Sequence, residues 1–232
     1  MGQSIIPQGI EVISFDLDDT LWSGPQVIRH AEQASQNWMR EHTPEVFSHF
    51  NADQLLEKRI QFLKQNPQLK NQISQSRQLF LQQLFSELGL DDAQSKALEC
   101  FKAFYQARQN VTLFDGVLET LYELKKQYRL ISITNGNADV QQTELADMFE
   151  LSLIAEDFQR PKPHGDMFEH ATASLTCEPQ AILHVGDHPV HDMQGAYEMG
   201  MYTCWLDDGS RQWNQTFEPD IVVKAIQELT NN

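Results

Sequence analysis

Basic residues are few in this sequence. Its 232 residues include 17 Lys and Arg against 33 Asp and Glu, which gives a formal net charge of −16. A protein that binds the phosphate backbone of DNA or RNA needs a basic face, so this balance argues against a nucleic-acid partner. An acidic protein that handles an anionic substrate needs a metal ion or a few placed cations to offset its own charge.

Cysteine is also scarce. Cys100, Cys177 and Cys204 are odd in number and far apart, and their spacing is neither that of a zinc finger nor that of a redox pair. We interpret them as reduced thiols packed in the protein core.

Long apolar runs are absent. None approaches the roughly 20 residues that a membrane-spanning helix needs, and the stretch from Met1 to Ile10 has neither the basic start nor the apolar centre of a secretory signal. We therefore expect a cytoplasmic protein with no membrane partner. The sequence does not indicate an oligomeric state.

Acidic residues are concentrated after the first predicted strand. The apolar segment Val12–Phe15 is followed by Asp16, Asp18 and Asp19. Like charges this close repel one another unless a cation or a proton compensates them, so the cluster suggests a bound divalent metal ion. On an extended chain Asp16 and Asp18 point to the same side and Asp19 points away. An acidic turn after an edge strand is the structural alternative.

Helical periodicity dominates the next ninety residues. The apolar spacing predicts four amphipathic helices, at 25–41, 53–65, 72–88 and 91–109. Seven aromatic residues recur there at helical intervals and indicate the core of a helical bundle: Trp38, Phe62, Phe80, Phe85, Phe101, Phe104 and Tyr105.

The charge distribution separates the same region from the rest of the chain. Residues 22–112 contain 10 basic and 9 acidic residues, whereas the remainder contains 7 basic and 24 acidic residues. We therefore predict a helical domain at 22–112 and a second domain formed by 1–21 and 113–232.

Helix and strand patterns alternate in the second domain. Strands are predicted at 130–133, 151–155, 181–185 and 201–206, and helices at 117–127, 138–149, 165–175 and 192–199. Alternation of this kind predicts an α/β fold, a Rossmann-like parallel sheet with helices on both faces, and Val12–Phe15 must join that sheet. The all-helical domain is then an insertion after the first strand, over the acids.

Polar side chains also follow other predicted strands. Their order along the chain matches the order of the sequence motifs of a known family. Thr134 and Asn135 follow the strand at 130–133, Lys162 lies between two prolines, and Gly186-Asp187 through Asp192 follow the strand at 181–185. Together with Asp16-Leu17-Asp18-Asp19-Thr20, they match the four signatures DxDxT, Thr/Ser, Lys and GDx(3–4)D. Over residues 12–206 the chain therefore resembles the haloacid-dehalogenase-like hydrolase superfamily, with an insertion at the family's first cap position.

The resemblance implies a phosphatase with a covalent intermediate. It implies that Asp16 attacks phosphorus to form an aspartyl-phosphate, and that Asp18 protonates the leaving oxygen and later activates water. Thr134 and Asn135 would bind the phosphate oxygens, and Lys162 would neutralise developing charge and hold Asp16 in place.

The resemblance also implies a Mg²⁺ cofactor. Asp16 and Asp187 would be ligands through their side chains and Asp18 through its backbone carbonyl, with Asp192 in support. Oxygen ligands of this kind are those that Mg²⁺ prefers.

Several of these residues have structural alternatives. Thr134 and Asp192 can cap the helices that follow them, and Lys162 can be a surface lysine between prolines. Three histidines allow a zinc site, although the acidic oxygen set suits a harder cation and His184 lies within a strand pattern. These are His184, His188 and His191. His188 also departs from the family pattern, which more often has a small polar residue after that aspartate.

The reaction class has alternatives within the same superfamily. A hydrolytic 2-haloacid dehalogenase uses the same aspartate on carbon and needs neither a metal nor a second acid, so Asp18 favours the phosphatase. A phosphomutase is a further alternative. Phosphonate hydrolysis is disfavoured because no lysine in the insertion can be singled out for a Schiff base. A binding module that has lost its activity would have a broken motif, and all four motifs are intact.

The substrate is expected to be a small phosphorylated metabolite. Local resemblance around Thr134 and Gly186 to bacterial flavin-mononucleotide and related riboflavin-pathway phosphatases favours a nucleotide-like or sugar phosphate. Specificity in the superfamily lies largely in the cap, where Arg29, Lys58 and Arg59 are candidate substrate-selecting cations.

Overall fold

The computed structural model describes residues 5–230. Pro25–Val111 forms one compact unit, and the described residues on either side of it form another. The outer limits of the predicted domains, at 1 and 232, lie outside the described residues. The assignment of the first unit as a cap stays a prediction.

The second unit is built on a parallel six-stranded sheet. Its strands are β1 (Val12–Phe15), β2 (Arg129–Thr134), β3 (Leu151–Ile154), β4 (Ile182–Gly186), β5 (Tyr202–Leu206) and β6 (Ile221–Val223). They lie in the order β3-β2-β1-β4-β5-β6, and every neighbouring pair is parallel. The predicted α/β fold with a Rossmann-like sheet and a helical insertion after the first strand is confirmed.

Burial explains the composition of the central strands. All four residues of β1 and all five of β4 are buried, as expected for strands covered on both faces. Two polar residues in these strands satisfy each other: Ser14 pairs in register with His184, and the Ser14 Oγ lies 2.9 Å from the His184 Nδ1. A buried histidine in the strand is therefore a hydrogen-bonded core residue.

Helices of the sheet unit differ from the predictions in two places. Helices α6 (Val117–Lys125) and α7 (Asp166–Leu175) lie where they are predicted. The predicted helix at 138–149 is wrong, because this segment has a 3₁₀ turn at Val140–Gln142 followed by turns. The helix predicted at 192–199 begins earlier, as a π-helical turn Pro189–Gln194 that continues into α8 (Gly195–Glu198).

Side-chain hydrogen bonds account for the lost helix. The Asp139 carboxylate accepts a hydrogen bond from the Gln141 N–H, and the Thr143 hydroxyl donates to the Val140 carbonyl and accepts from the Leu145 N–H. Such local bonds compete with helical ones. The apolar residues that suggest a helix are nevertheless buried: Ala138, Val140, Leu145, Met148 and Phe149.

The inserted unit is entirely helical where the structure describes it. It contains α1 (Gly24–His42), whose first residue belongs to the other unit, α2 (Glu45–His49), α3 (Ala52–Gln65), α4 (Ile73–Glu87) and α5 (Ala93–Arg108). The short helix α2 has no counterpart in the prediction. The predicted bundle core is confirmed, with five aromatic residues buried and two packed against them: Phe62, Phe80, Phe85, Phe101 and Phe104, then Trp38 and Tyr105.

The expectation that all three cysteines are packed in the core is correct for two of them. Cys100 and Cys204 are buried free thiols, whereas Cys177 is only partly buried and also free.

None of the described helices is both long enough and apolar enough to cross a membrane.

Candidate active site

The strand order places one crevice at the carboxyl edge of the sheet. From β1 the chain goes outward through β2 and β3, then returns to β4 on the other side of β1. Parallel sheets bind ligands where the strand order reverses in this way, outside the carboxyl ends of the strands. Asp16 directly follows β1 and Asp187 directly follows β4, so both stand at this point.

All seven sequence-predicted site residues line one cleft of about 180 Å³ here. They are Asp16, Asp18, Thr134, Asn135, Lys162, Asp187 and Asp192. They come from four separate segments, and the parallel strands bring those segments together.

Lys162 is a buried cation at the centre of the site, with 2% of its surface exposed. Its Nζ donates to the Asp16 Oδ1 at 2.7 Å, the Asp192 Oδ1 at 2.5 Å and the Ile133 carbonyl at 2.6 Å. A buried ammonium is stable only when it is paired and fully hydrogen-bonded, and these three acceptors match its three protons. The surface-lysine alternative for Lys162 does not describe this side chain.

The backbone of Lys162 is fixed by Asn135. The Asn135 Nδ2 donates to the Lys162 carbonyl at 2.9 Å, and its Oδ1 accepts from the Lys162 N–H at 2.8 Å. The Asn135 side chain therefore joins the loop after β2 to the lysine loop. If Asn135 binds a phosphate, it would do so through its backbone N–H, as the resemblance implies.

Thr134, at the end of β2, is buried and its Oγ1 accepts a hydrogen bond from the Gly136 N–H at 3.0 Å. A hydroxyl that accepts through its oxygen still has a proton to donate. Thr134 can therefore turn the chain after β2 and also donate to an anion in the cleft.

Asp192 is held through both of its carboxylate oxygens. Its Oδ1 accepts from Lys162 and lies 3.4 Å from the His184 Nε2, and its Oδ2 accepts from the His188 N–H at 2.9 Å. A Cβ placed on Gly186 would lie 2.4 Å from the Asp192 Cγ, so only glycine allows this approach. Asp192 thus positions the lysine and the loop after β4.

Asp192 does not cap the helix that follows it. The N-cap of the turn Pro189–Gln194 is His188, whose Nδ1 accepts hydrogen bonds from the N–H groups of Val190 and His191, each at 3.1 Å. The His188 ring is also stacked on that of His191, with 3.9 Å between the ring centroids.

The donor set fits a hard metal ion. Oxygen atoms of Asp16, Asp187 and Asp192 lie within 4.8 Å of one another, and all three residues are buried. Asp18, expected to bind through its backbone carbonyl, lines the same cleft. Within the described chain no histidine or cysteine belongs to this group, so the donors suit Mg²⁺ better than zinc.

Burial and like charges perturb the titration of these acids. Burial raises the pKa of Asp16 well above its usual range, with the charges of Asp192 and Asp187 adding to the effect and Lys162 opposing it. Burial likewise raises the pKa of Asp187 to about 6. A group of acids whose ionised forms are disfavoured in this way gains stability from a cation.

For Lys162 and Asp192, in contrast, the surroundings favour the charged forms. Burial opposes the charge of Lys162, but Asp16 and Asp192 outweigh it and raise the lysine pKa. Burial also opposes ionisation of Asp192, yet the Lys162 charge and the His184 hydrogen bond outweigh it and lower the pKa of Asp192 below its usual range. The Lys162–Asp192 pair is therefore charged.

Arg211 is a site residue that the sequence did not reveal. It follows β5, and its Nε donates to the Asp187 Oδ2 at 2.7 Å, while its Nη2 lies 3.9 Å from the Asp19 Oδ2. The cleft thus has a second cation. Its position at the carboxyl end of a predicted strand is the signal that could have identified it.

Asp19 also lines the cleft, and the expectation that it points away is wrong. The alternation of side chains holds only for an extended chain, and Asp19 has a φ of 62°, in the left-handed region. Its carboxylate accepts from the Gly24 N–H at 3.0 Å.

Two tryptophan indoles donate hydrogen bonds to Asp18 and Asp187, which line the cleft. The Trp22 Nε1 donates to the Asp18 Oδ1 at 2.8 Å, and the Trp205 Nε1 donates to the Asp187 carbonyl at 3.0 Å. Sequence patterns do not reveal such contacts, because each depends on the conformation of a loop.

Comparisons with known proteins identify a matching family and similar sequences. Residues 10–200 match the family described as haloacid dehalogenase-like hydrolase. The chain is 30% identical over 229 residues to the 5-amino-6-(5-phospho-D-ribitylamino)uracil phosphatase YigB of Escherichia coli, which covers 96% of this chain and 95% of the relative. It is 29% identical over 135 residues to the pyrimidine 5′-nucleotidase YjjG of the same species, covering 55% of this chain and 60% of the relative.

A solved structure is also similar over nearly its full length. A crystal structure described as a 2-haloacid dehalogenase from Pseudomonas syringae pv. Tomato DC3000 is 36% identical, with a TM-score of 0.88 and coverage of 95% of this chain and 96% of that chain.

Proposed function

The chain belongs to the haloacid dehalogenase-like hydrolases and is a phosphoric monoester hydrolase. We propose that its substrate is a small phosphorylated metabolite of the cytoplasm. We also propose that the reaction proceeds through an aspartyl-phosphate at Asp16. The observation that carries the proposal is the contact between the buried Lys162 ammonium and Asp16 at the carboxyl end of β1. This cation fixes the attacking carboxylate and offers positive charge to an anionic substrate.

Charge repulsion is the obstacle that the site must remove. An anionic nucleophile and a phosphate 4 Å apart repel each other by about 4 kcal/mol per charge pair at intermediate dielectric. Lys162 offsets part of this repulsion. The Thr134 hydroxyl and the backbone N–H groups that follow it supply donors for the non-bridging oxygens.

Asp16, Asp187 and Asp192 are the side chains that would hold or support a Mg²⁺ ion, together with the backbone carbonyl of Asp18. When bound, the ion would shield the negative charges of the phosphate and of the surrounding carboxylates. Because both Asp192 oxygens are hydrogen-bonded within the protein, we infer that Asp192 acts mainly by holding Lys162 and the loop after β4.

Asp18 serves as general acid and base in this proposal. In the first step the Asp16 oxygen bonds to phosphorus, the bond from phosphorus to the leaving oxygen breaks, and the Asp18 proton passes to that oxygen. In the second step water attacks phosphorus, Asp18 takes a proton from the water, and the bond from phosphorus to Asp16 breaks. Each proton transfer of this kind contributes about 10²- to 10⁴-fold.

The substrate class is proposed from sequence resemblance. The name of YigB describes a phosphate ester of a ribityl chain on a pyrimidine ring, and flavin mononucleotide carries a ribityl phosphate on a flavin ring. We propose a primary phosphate ester of a ribityl or nucleotide-like compound.

The dehalogenase alternative has one observation in its favour, the similarity to the Pseudomonas syringae structure described as a 2-haloacid dehalogenase. Against it stand Asp18 in the cleft and the oxygen set of Asp16, Asp187 and Asp192, because dehalogenation needs neither a second acid nor a metal.

One paired assay tests the proposal. Purified protein with Mg²⁺ is incubated with flavin mononucleotide, 5-amino-6-(5-phospho-D-ribitylamino)uracil and pyrimidine 5′-monophosphates, and separately with 2-haloacids. We expect inorganic phosphate from at least one ester, no halide, and neither product from the Asp16→Asn variant. Halide release without phosphate release would assign the chain to the dehalogenases.

A further inference from the structure

We propose that Trp22 is a positioning residue that sets the orientation of the Asp18 carboxylate for proton transfer to the leaving group. The inference rests on the proposed function and extends it to a residue outside the family motifs. Its basis is the hydrogen bond from the Trp22 Nε1 to the Asp18 Oδ1, 2.8 Å long.

The Trp22 ring is completely buried, with 0% of its surface exposed. An indole has a single N–H donor, and a buried indole usually directs it to a polar partner. Here the partner is the carboxyl group of Asp18, and a hydrogen bond from a fixed donor to one of its oxygens restricts the rotation of that group. The donor thus acts on the group that must exchange a proton.

The backbone around Trp22 gives the ring little freedom. The Asp19 N–H donates to the Trp22 carbonyl at 2.7 Å, and isolated bridges join Trp22 to Asp18 on one side and to Leu113 on the other. The left-handed φ of 62° at Asp19 folds this segment back on itself. As a result, an indole four residues beyond Asp18 reaches its carboxylate.

Gly24 confines Asp18 from a second direction. A Cβ placed on Gly24 would lie 3.1 Å from the Asp18 Cβ and 3.4 Å from its Oδ1. Asp18 is therefore held by a donor at one point and by close backbone packing at another. An alanine at position 24 would press on the same carboxylate without removing the indole.

Orientation matters more for Asp18 than for a residue that only supplies charge. A proton transfers only along a short, aligned hydrogen bond, and a displacement of about 1 Å in a reacting group can cost about 10²-fold in rate. Misplacement of Asp18 would slow the step in which the leaving oxygen takes its proton. A leaving group that is stable as an anion does not need that proton.

Two aryl phosphate esters whose leaving groups differ in acidity distinguish this role from a purely structural one. Phenyl phosphate and p-nitrophenyl phosphate differ mainly in how much the departing oxygen needs protonation. The quantity to compare is kcat/KM, because it covers the steps up to departure of the leaving group and not the later hydrolysis of the intermediate.

We expect Trp22→Phe, which keeps an aromatic ring but has no donor, to lower kcat/KM about 10- to 100-fold for phenyl phosphate and less than about threefold for p-nitrophenyl phosphate. Gly24→Ala should show the same leaving-group pattern. Trp213→Phe is the matched control: it removes an indole donor that binds the Phe217 carbonyl, and both esters should keep their wild-type values.

A double-mutant cycle with Asp18→Asn shows whether the indole acts through Asp18. If it does, Trp22→Phe has no further effect on phenyl phosphate in the Asp18→Asn background. Equal losses for both esters in Trp22→Phe and Gly24→Ala, fully additive effects in the cycle, or no loss with phenyl phosphate would each overturn the inference. If wild-type protein hydrolyses no phosphate ester at all, the proposed function fails instead.

Discussion

At the scale of single residues, the site is a balance of buried charges around Lys162. This lysine has two carboxylate partners, Asp16 and Asp192, and each partner lies near other acids. Its removal leaves negative charges in a region with little water to solvate them. Stability and activity should therefore depend on the same ammonium.

Replacing Lys162 with Met tests this dependence. Removing one partner of a buried ion pair typically costs about 3–5 kcal/mol, and we expect a loss of that size in the free energy of unfolding. Phosphatase activity should fall by at least about 10²-fold. Urea unfolding at pH 7 and phosphate release measure the two effects.

Lys126→Met is the matched control for Lys162→Met. Lys126 pairs with Glu123 on the surface, where an ion pair contributes little. If Lys162→Met were as stable and as active as this control, the buried pair would have no role in either property.

At the scale of elements, the inserted unit has its own partly buried charge cluster. Glu32 on α1 accepts hydrogen bonds from Arg59 on α3 and Arg77 on α4, and the Arg77 guanidinium lies 3.4 Å from the centroid of the Phe104 ring on α5. One carboxylate thus ties three helices together. Arg59, a candidate substrate-selecting cation, is one of its partners, whereas Lys58 pairs with Glu87 and Arg29 is exposed.

Replacing Glu32 with Gln should destabilise the protein in a pH-dependent way. Burial opposes the charge of Glu32, but the hydrogen bonds and charges of Arg77 and Arg59 outweigh it and lower the pKa of Glu32. A lowered folded-state pKa stabilises the protein above the unfolded pKa, about 4.3 for glutamate, and that contribution is lost as the pH falls through the folded value.

The wild-type advantage over Glu32→Gln should therefore be constant from pH 7 to about pH 5 and shrink below about pH 4.3. Urea unfolding of both proteins across this range measures it. Glu87→Gln, which alters a more exposed pair, should differ less from wild type at every pH. An advantage that grew as the pH fell would contradict the assigned role of Glu32.

The elements also show how far the sequence predicts the fold. Four of the five insertion helices and five of the six strands follow from apolar periodicity, because burial against a core dictates that pattern. The three-residue strand Ile221–Val223 has an exposed middle residue and gives almost no such signal. The segment at 138–149 has a helical pattern, but its Asp139 and Thr143 side chains bind the backbone in place of helical hydrogen bonds.

The same distinction holds for the site. Asp16, Thr134 and Asp187 could be predicted to meet, because each follows a parallel strand and such strands end at one edge. The contacts of Trp22 and Arg211 could not be predicted, because both side chains reach the site from loops whose path depends on tertiary contacts; for Arg211 the only signal is its place after a predicted strand. The roles assigned to all of these residues stay predictions.

At the scale of the whole molecule, negative charge is concentrated outside the insertion. Residues 22–112 have a net charge of +1, whereas the rest of the chain, which contains the site, has 7 basic and 24 acidic residues and a net charge of −17. Binding an anionic phosphate there requires compensating cations. Lys162 and Arg211 are both already hydrogen-bonded to acids of the site.

Removal of divalent metal should therefore stop phosphate release. Treatment with EDTA followed by gel filtration is expected to abolish activity, and added Mg²⁺ is expected to restore it. Calorimetry should detect Mg²⁺ binding to the treated wild-type protein and weaker binding to Asp187→Asn. Full activity of metal-free protein would show that the acids of the site do not need a metal ion.

The most direct test of the account is to find the phosphoryl group on Asp16. Asp18→Asn should slow breakdown of the intermediate, so this variant is mixed with p-nitrophenyl phosphate and Mg²⁺, quenched in acid and digested for mass spectrometry. We expect one phosphoryl group on the peptide that contains Asp16 and none in Asp16→Asn. Wild-type protein that turns over this ester while no phosphoryl group is found on Asp16, in either wild type or Asp18→Asn, would contradict it.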